Sequence, residues 1–296
     1  GCSGKPVTIT QHASHCIDLH CHSTASDGAL SPSALVVRAA EKGVTHLALT
    51  DHDTVDGIAE ARGAAREANI QLINGIELSC VWRKHTIHIV GLDMDLDNAE
   101  FLERVAGQQA NRWKRARRIA EKLARHVSGC DEGILDSATE LAQGDVPGRP
   151  HFARALVDAG LVKDSAQAFR KYLGSGKPGD VKAFWPELSE VVRWITDAGG
   201  IAVVAHPRKY KLTATRLREL VADFMATGGE GIEVITSGQS SGDLGFLTEL
   251  CRRESLLASR GSDFHFPGAS WCELGRIPGL PEGLTPVWDR FRNAPV

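Results

Sequence analysis

The chain has 296 residues, 37 acidic side chains against 34 basic ones, and a formal net charge of −3. So even a balance, with both signs mixed throughout, gives no global case for gripping long nucleic acid or a membrane surface. No apolar run approaches the roughly 20 residues of a membrane-spanning helix, and the opening stretch lacks a signal peptide's charged and apolar regions.

Residues 1–15 read as an N-terminal extension or tag remnant, outside the fold. The seven cysteines (Cys2, Cys16, Cys21, Cys80, Cys130, Cys251, Cys272) form no CxxC pair. Odd in number and scattered, they read as reduced thiols of a cytoplasmic protein and exclude a CxxC zinc site. From there, apolar runs alternate with helical patterns. A strand is predicted over Cys16–His20, then a helix in "SPSALVVRAAEKG", where Ser31 caps the first amides, Pro32 fits the first turn and Gly43 closes the last. Next come a strand over Thr45–Thr50, a helix over Val55–Ala68, and strands over Gln71–Leu78 and Thr86–Leu92.

The alternation stops from about Asp95 to Pro186. That segment holds a long charged helix (Ala99–Val127), a "GDVPG" break, a second helical stretch (His151–Leu173) and a "GSGKPGD" loop. It reads as a helical insertion, 99–185, covering a barrel built from 16–98 and 186–296. The pattern then resumes: helix Glu187–Ala198, strand Ile201–Ala205, helix Thr213–Ala226, strand Gly231–Ile235, helix Ser241–Arg253, strand Leu256–Ser259. Continuously apolar strands spaced by helices predict a covered parallel sheet, and reactive residues at nearly every strand end predict that it closes as a barrel.

Those strand ends carry the chemistry. The first gives His20, His22 and Asp27; "LALTDHD" gives Asp51, His52 and Asp53; "GIELS" gives Glu77; "HTIHIVG" gives His88; "VVAHP" gives His206; "SRGSDFH" gives Asp263 and His265. Residues i and i+2 of a strand share a face, so His20 and His22 can grip one ion while Cys21 between them faces away. Imidazoles and carboxylates crowded at one mouth are costly without cations, and mixed nitrogen and oxygen donors suit Mn, Fe or Zn better than Ca or Mg. Six histidines with three or more carboxylates, nine ligands at the least, are too many for one metal. With Glu77 bridging, they suit two or three.

In this order, HxH…D, "TDHD", "GxE", "HIVG", "AHP" and "GSDFH" resemble the polymerase and histidinol phosphatase (PHP) family, most closely its stand-alone bacterial members acting on nucleoside 3′,5′-bisphosphates and short RNA 5′ ends. The motifs cover 16–98 and 200–266, and "HFARALVDAG" with "FRKYL" extends the likeness into the insertion. The resemblance implies a distorted (β/α)7 barrel, TIM-like, holding a trinuclear site, usually Mn, Fe or Zn. One metal would take His20, His22, Glu77 and Asp263. A second would take Glu77, His88 and His206, and a third Asp27, His52 and His265. Asp180 in "GKPGD" departs from relatives, which often have an aromatic there. Asp51 and Asp53 have no metal role in the family and are expected to orient a ligand or support structure. The expected chemistry is in-line attack by metal-bound hydroxide on a phosphoester, between cations roughly 3.5–4 Å apart, with no covalent enzyme intermediate.

Substrate candidates lie in the insertion. In "NRWKRARRIAEKLAR", Ala116, Ile119, Ala120 and Leu123 form the packed stripe, and Arg112 is the base expected near it, pointing inward to meet an anion. Arg149 and His151 flank a proline at a helix start, where free amides favour anions, and the corresponding arginine of the resembling enzymes contacts nucleotide phosphate. Lys177 reads as a surface lysine, and Tyr210 as either a base-stacking or a packing residue. One phosphate at the metals and another on these cations selects removal of the 3′-phosphate from a nucleoside 3′,5′-bisphosphate, with stepwise trimming of short 5′-monophosphorylated RNA as the alternative. Trp113 and a modest basic patch do not make a track for long nucleic acid. Histidinol phosphate is a further substrate of the same class. The competing classes are a C–N-cleaving amidohydrolase, whose bridging lysine has no counterpart at a strand end here, and a degenerate barrel that binds metal only for structure.

Overall fold

The structure is a computed structural model that describes residues 15–293, so the expected N-terminal extension, His15 apart, lies outside the described residues. Eight strands form one sheet in chain order: β1 (Ile17–Asp18), β2 (His46–Leu49), β3 (Gln71–Trp82), β4 (His85–Leu92), β5 (Ile201–Val204), β6 (Gly231–Ile235), β7 (Leu257–Arg260) and β8 (Thr285–Pro286). The helices are α1 (Pro32–Glu41), α2 (Ile58–Ala68), α3 (Ala99–His126), α4 (Ile134–Leu141), α5 (Arg149–Asp158), α6 (Ser165–Ala168), α7 (Leu188–Asp197), α8 (Ala214–Ala226) and α9 (Ser241–Arg253).

The sheet curls so that the chain after β1 comes alongside β7 and the residues that follow it, with β8 lying on the outer side of β7. Beyond β1 and β7 the main chain is stitched by Leu19 N to Arg260 O (3.1 Å), Asp263 N to His20 O (2.8 Å) and His22 N to Phe264 O (2.9 Å). Its inner face is apolar, filled by Ile17, Leu19, Ala48, Ile73, Val90, Val203 and Ala205. The outer face is covered by α7, α8 and α9, packed on β3 to β7 through residues such as Val191, Ile195, Leu220, Phe224 and Leu247. Burial on both faces explains why strands β2 and β5 read as unbroken apolar runs.

One strand runs against the expected parallel order. β4 is antiparallel to both β3 and β5. Arg83 and Lys84 form the two-residue turn between β3 and β4, with φ of 45° and 69°, the left-handed values that suit a tight hairpin. Parallel neighbours need a crossover of a dozen residues or more, and seven residues between the predicted strands could never supply one. The β3–β4 hairpin is therefore dictated by chain length, although "RK" is not the usual Asn-Gly signal. β8, two residues beside β7, carries too little pattern to be seen in sequence.

Two helical predictions also change. His151–Leu173 is not one stretch: α5 ends before Gly160 (φ +71°), and α6 then runs into a π-helical turn at Phe169–Leu173. α4 was not predicted. Helix α3 serves two cores. Phe101 and Val105 pack with the sheet helices, whereas Ala116, Ile119, Ala120 and Leu123 pack with Phe152, Leu156 and Leu173 of the following segment.

Candidate metal centre and its adjoining pocket

All the predicted ligands come from one rim of the sheet. His20 and His22 follow β1, Glu77 lies within β3, and His206 follows β5. His88 is not at a strand's end but near the start of β4; because β4 runs the opposite way, its early residues reach the same rim. Cys21 faces the other side, buried against Leu35, Leu47 and Phe264, with its thiol on Ala48 O at 3.2 Å.

Glu77 is fully buried and central. Its Oε1 lies 3.3 Å from His20 Nε2, 3.2 Å from His22 Nε2 and 3.2 Å from His52 Nδ1. Its Oε2 lies 3.4 Å from His88 Nδ1 and 3.0 Å from His206 Nε2. Asp263 Oδ1 sits 3.2 Å from both His20 Nε2 and His22 Nε2. Asp27 Oδ2 is 3.3 Å from His52 Nε2 and from His265 Nε2. Three groups have donor atoms within 4.8 Å of one another: His20, His22, Glu77 and Asp263; His22, Asp27, His52 and His265; and His52, Glu77 and His88. The structure thus gathers all nine residues. It differs from the expected sets in sharing His22 and His52 between groups, and in leaving His206 to face Glu77 outside them.

The donor set fits cations. His22 Nδ1, His52 Nδ1, His88 Nδ1, His206 Nδ1, Glu77 Oε1 and Asp263 Oδ1 are buried without a hydrogen-bond partner, a cost a protein seldom bears unless something else satisfies them. Burial opposes charge on Glu77, yet His20, His52 and His88 hold its carboxyl well below the usual range. Burial likewise opposes protonation of His22, but Asp263, Glu77 and Asp27 lift it to about 10. Burial dominates at His52 and pushes it down.

Local backbone geometry aims these groups. Gly261 of "SRGSDFH" lies so close to His20 that a Cβ there would meet the histidine's Cβ at 2.3 Å. Gly28 is equally constrained, since a Cβ would fall 2.2 Å from His22 O, so the loop bearing Asp27 folds back only with glycine. His206 (φ +26°) and Asp263 (φ +58°) occupy the left-handed region, which costs of order 1–3 kcal/mol per residue and marks places where the surroundings impose the conformation.

Three residues escaped the sequence reading. Glu233, in the middle of β6, receives His20 Nδ1 at 2.8 Å and the His206 amide at 2.7 Å, so it turns His20 Nε2 inward. A lone acid in the apolar run "GIEVI" is the same signal that picked Glu77 from "GIELS". Asp18 accepts the amides of His20, Ser262 and Gly275, tying the two ends of the sheet together. Lys209, absent from any strand end, places Nζ 2.7 Å from Asp263 Oδ2; it reaches only that outer oxygen and does not bridge the ligands. Asp51 and Asp53 do not hold His52, as an orienting role would require. Asp51 accepts Ser23 N, Ser23 Oγ and Ser26 Oγ, each at 2.7 Å, fixing the Asp27 loop. Asp53 accepts Ser79 N, Ser79 Oγ, Gln108 and Arg112.

A pocket of about 150 Å³ adjoins Asp27 and His52 and is walled by Arg112, Asp145, Gly148 and His151. Arg112 does point inward, but the anion it meets is Asp53, at 2.8 Å through Nε. Nor is it the lone inward base, because Arg115 Nε bonds Val181 O at 2.9 Å. His151 Nδ1 accepts the Gly148 amide at 3.0 Å, presenting its other edge beside the pocket. Arg149 is not in the pocket wall: Nη1 bonds Leu173 O at 3.0 Å and lies 3.6 Å from Asp180. The residue that departs from the resembling proteins therefore pairs with this arginine. Burial pushes the Asp145 carboxyl up to about 7. Tyr210 is a packing residue, its hydroxyl held by Ala205 O at 2.7 Å and by the His88 backbone. Lys177 lies by Arg118 and Lys122 in a separate outer cleft.

Against known proteins, the PHP domain matches residues 18–179. A 5′-3′ exoribonuclease of Haemophilus influenzae is 46% identical over 93% of this chain and 98% of its own length. A 3′,5′-nucleoside bisphosphate phosphatase of Chromobacterium violaceum is 42% identical over 92% of this chain and 95% of its own. Among solved structures, an amidohydrolase from Chromobacterium violaceum superposes with a TM-score of 0.81 at 42% identity, covering 93% of this chain and 95% of that one. A candidate metal-dependent phosphoesterase from Bifidobacterium adolescentis follows at 0.73 and 30% identity, with 94% of each chain covered. Rim, ligand order and overall likeness agree: the chain belongs to the PHP domain family of metal-dependent phosphoesterases.

Proposed function

We propose that the protein hydrolyses the 3′-phosphate of nucleoside 3′,5′-bisphosphates to leave a 5′-mononucleotide, and that the same site trims short 5′-monophosphorylated RNA. The observation that carries this reading is the shared wall between ligand cluster and pocket: Asp27 and His52 belong to both. A phosphoester at the cluster would leave the second phosphate of the substrate against Arg112 and His151. Relatives at 42% and 46% identity bearing these two activities in their names support it.

Divalent cations, manganese being our first choice with Fe or Zn as alternatives, would supply a lowered water pKa and neutralise charge on phosphoryl and leaving oxygens. The nine residues His20, His22, Asp27, His52, Glu77, His88, His206, Asp263 and His265 would hold them, with Glu77 shared. Glu233 fixes the His20 tautomer by accepting a hydrogen bond from its Nδ1–H, and Asp51 fixes the loop that carries Asp27. Arg112 keeps its place through Asp53, so its remaining N–H groups are pre-aimed at a phosphate in the pocket. Arg149 would reach substrate only by leaving Asp180. We read β1 to β7 as a distorted seven-stranded barrel with β8 added beside β7, 16–98 with 186–296, the insertion 99–185 as its cover, and the cytoplasm as its compartment. The described cysteines are all free, and no described helix is long and apolar enough to cross a membrane.

Phosphate release from manganese-loaded protein tests the reading. Turnover of 3′-phosphoadenosine 5′-phosphate with 5′-AMP left intact supports it. Cleavage of a 5′-phosphorylated RNA trimer with an idle bisphosphate moves the main activity to RNA ends, and no reaction with either refutes it.

A further inference from the structure

A second cavity opens on the other side of the ligand cluster. It measures about 110 Å³, and its lining includes His206, Arg208, Lys209, Ser237, Gln239 and Asp243. Arg208 Nε is bound to Asp243 at 3.0 Å, so those two charges cancel. Lys209 is paired too, its Nζ 2.7 Å from the outer oxygen of Asp263. That carboxylate also faces His20 and His22 through its inner oxygen, and the ammonium is half exposed, so it keeps donors to offer an anion. The first pocket stands over the ends of β1 and β2 under the insertion. The second stands over the ends of β5 and β6, and the order of strands in the sheet places β3 and β4 between them.

The two substrates of the proposed function differ only on this far side. In a nucleoside bisphosphate the reacting 3′-phosphate is the end of the molecule. In RNA the same phosphorus carries a second ester to the next nucleoside, whose chain must leave the cluster away from the first nucleotide. The cavity is well below the roughly 300 Å³ of a site for a whole ligand, which suits one phosphodiester group.

Resting on that functional reading, we infer that Lys209 and the cavity beside His206 form a subsite for the phosphodiester downstream of the cut, and that Lys209 sets the preference for oligonucleotide over bisphosphate. The step balances simply: water's oxygen bonds to phosphorus, the P–O3′ bond breaks, a proton ends on O3′, and the downstream chain keeps the phosphate as its new 5′-monophosphate.

The test compares kcat/KM of Lys209→Met on a 5′-phosphorylated RNA trimer and on 3′-phosphoadenosine 5′-phosphate, using manganese-loaded full-length chain. Both fall because Asp263 loses its partner, but the trimer falls about tenfold further, through KM, as expected for loss of a charge-assisted bond. Lys209→Arg recovers most of the difference, and Ser237→Asp, which puts a negative charge in the cavity, reproduces it with Lys209 intact. Calorimetric binding of a trimer with an uncleavable scissile linkage weakens in parallel. Equal losses on both substrates, or a loss confined to kcat, overturn the inference. A wild-type protein that turns over the bisphosphate but no trimer overturns the subsite alone. One that acts on neither overturns the underlying function as well.

Discussion

The strand-end rim and the helical insertion solve the same problem, placing charged side chains around a small anion, in opposite ways. At the rim, Glu77 is surrounded by five imidazoles at 3.0–3.4 Å, and six buried donor atoms lack hydrogen-bond partners. In the insertion the cations already have partners within the chain: Arg112 on Asp53, Arg115 on Val181 O, Arg149 on Leu173 O and Asp180. Unmet polar groups buried on stiff strands are poised for ions, and satisfied groups on helices set the shape of a pocket. On the function proposed above, chemistry belongs to the rim, and selectivity to the insertion and the cavity beside His206.

Replacing the rim's central carboxylate is the strongest way to test that division. Glu77→Gln keeps the shape and removes the charge that five histidines face, so activity should fall by about 10³-fold or more, with elemental analysis finding less manganese per chain. Activity near wild type would remove Glu77 from the centre. One layer out, Glu233→Gln should cost about 10- to 100-fold in activity or metal affinity, because His20 loses the partner that fixes its tautomer. An unchanged metal titration would show that the 2.8 Å contact is incidental.

In the insertion the effects should be smaller and of another kind. Arg112→Met leaves buried Asp53 with its other donors and removes one charge-assisted bond, worth about 2 kcal/mol of stability. KM for the bisphosphate should rise while kcat changes little; a kcat collapse with unchanged KM would move Arg112 into the chemistry. Because the pair acts as a unit, combining Arg112→Met with Asp53→Asn should destabilise by less than the two single changes added together, measured by urea unfolding.

The smallest effect concerns Asp145 in the pocket wall. Its folded pKa of about 7 lies above the model-peptide value of 3.8, so folding favours the protonated acid. That contribution is complete below the unfolded pKa and disappears as pH rises through 7. Asp145→Asn should then raise Tm by a few degrees at pH 8, for about 1–2 kcal/mol at a partly exposed site. The gain should shrink as pH falls below 7 and vanish only below the unfolded value of 3.8, and a gain that does not vary with pH would contradict the assignment.

How much was legible in the sequence depends on how local each signal is. The ligand candidates could be named because most sit beside an apolar run, as His20 and His22 do at i, i+2, and because their motifs in order resemble the PHP family, which set the nine apart from Asp51 and Asp53. Glu233 carried the same signal and was missed only because it precedes no motif. The reversal of β4 was implicit in a short connection, not in its composition. Lys209 and the partners of Arg112 and Arg149 could not be read at all, since each contact joins elements tens of residues apart and a helix periodicity gives a direction without saying what waits there. The sequence by itself determined most of the strands and helices and the nine ligand candidates that gather at one rim, because periodicity, motif order and chain length are local constraints. Only the tertiary structure decided which charges are already paired, which buried atoms remain unmet and where the two cavities open, because pairing and burial depend on the neighbours that folding brings together.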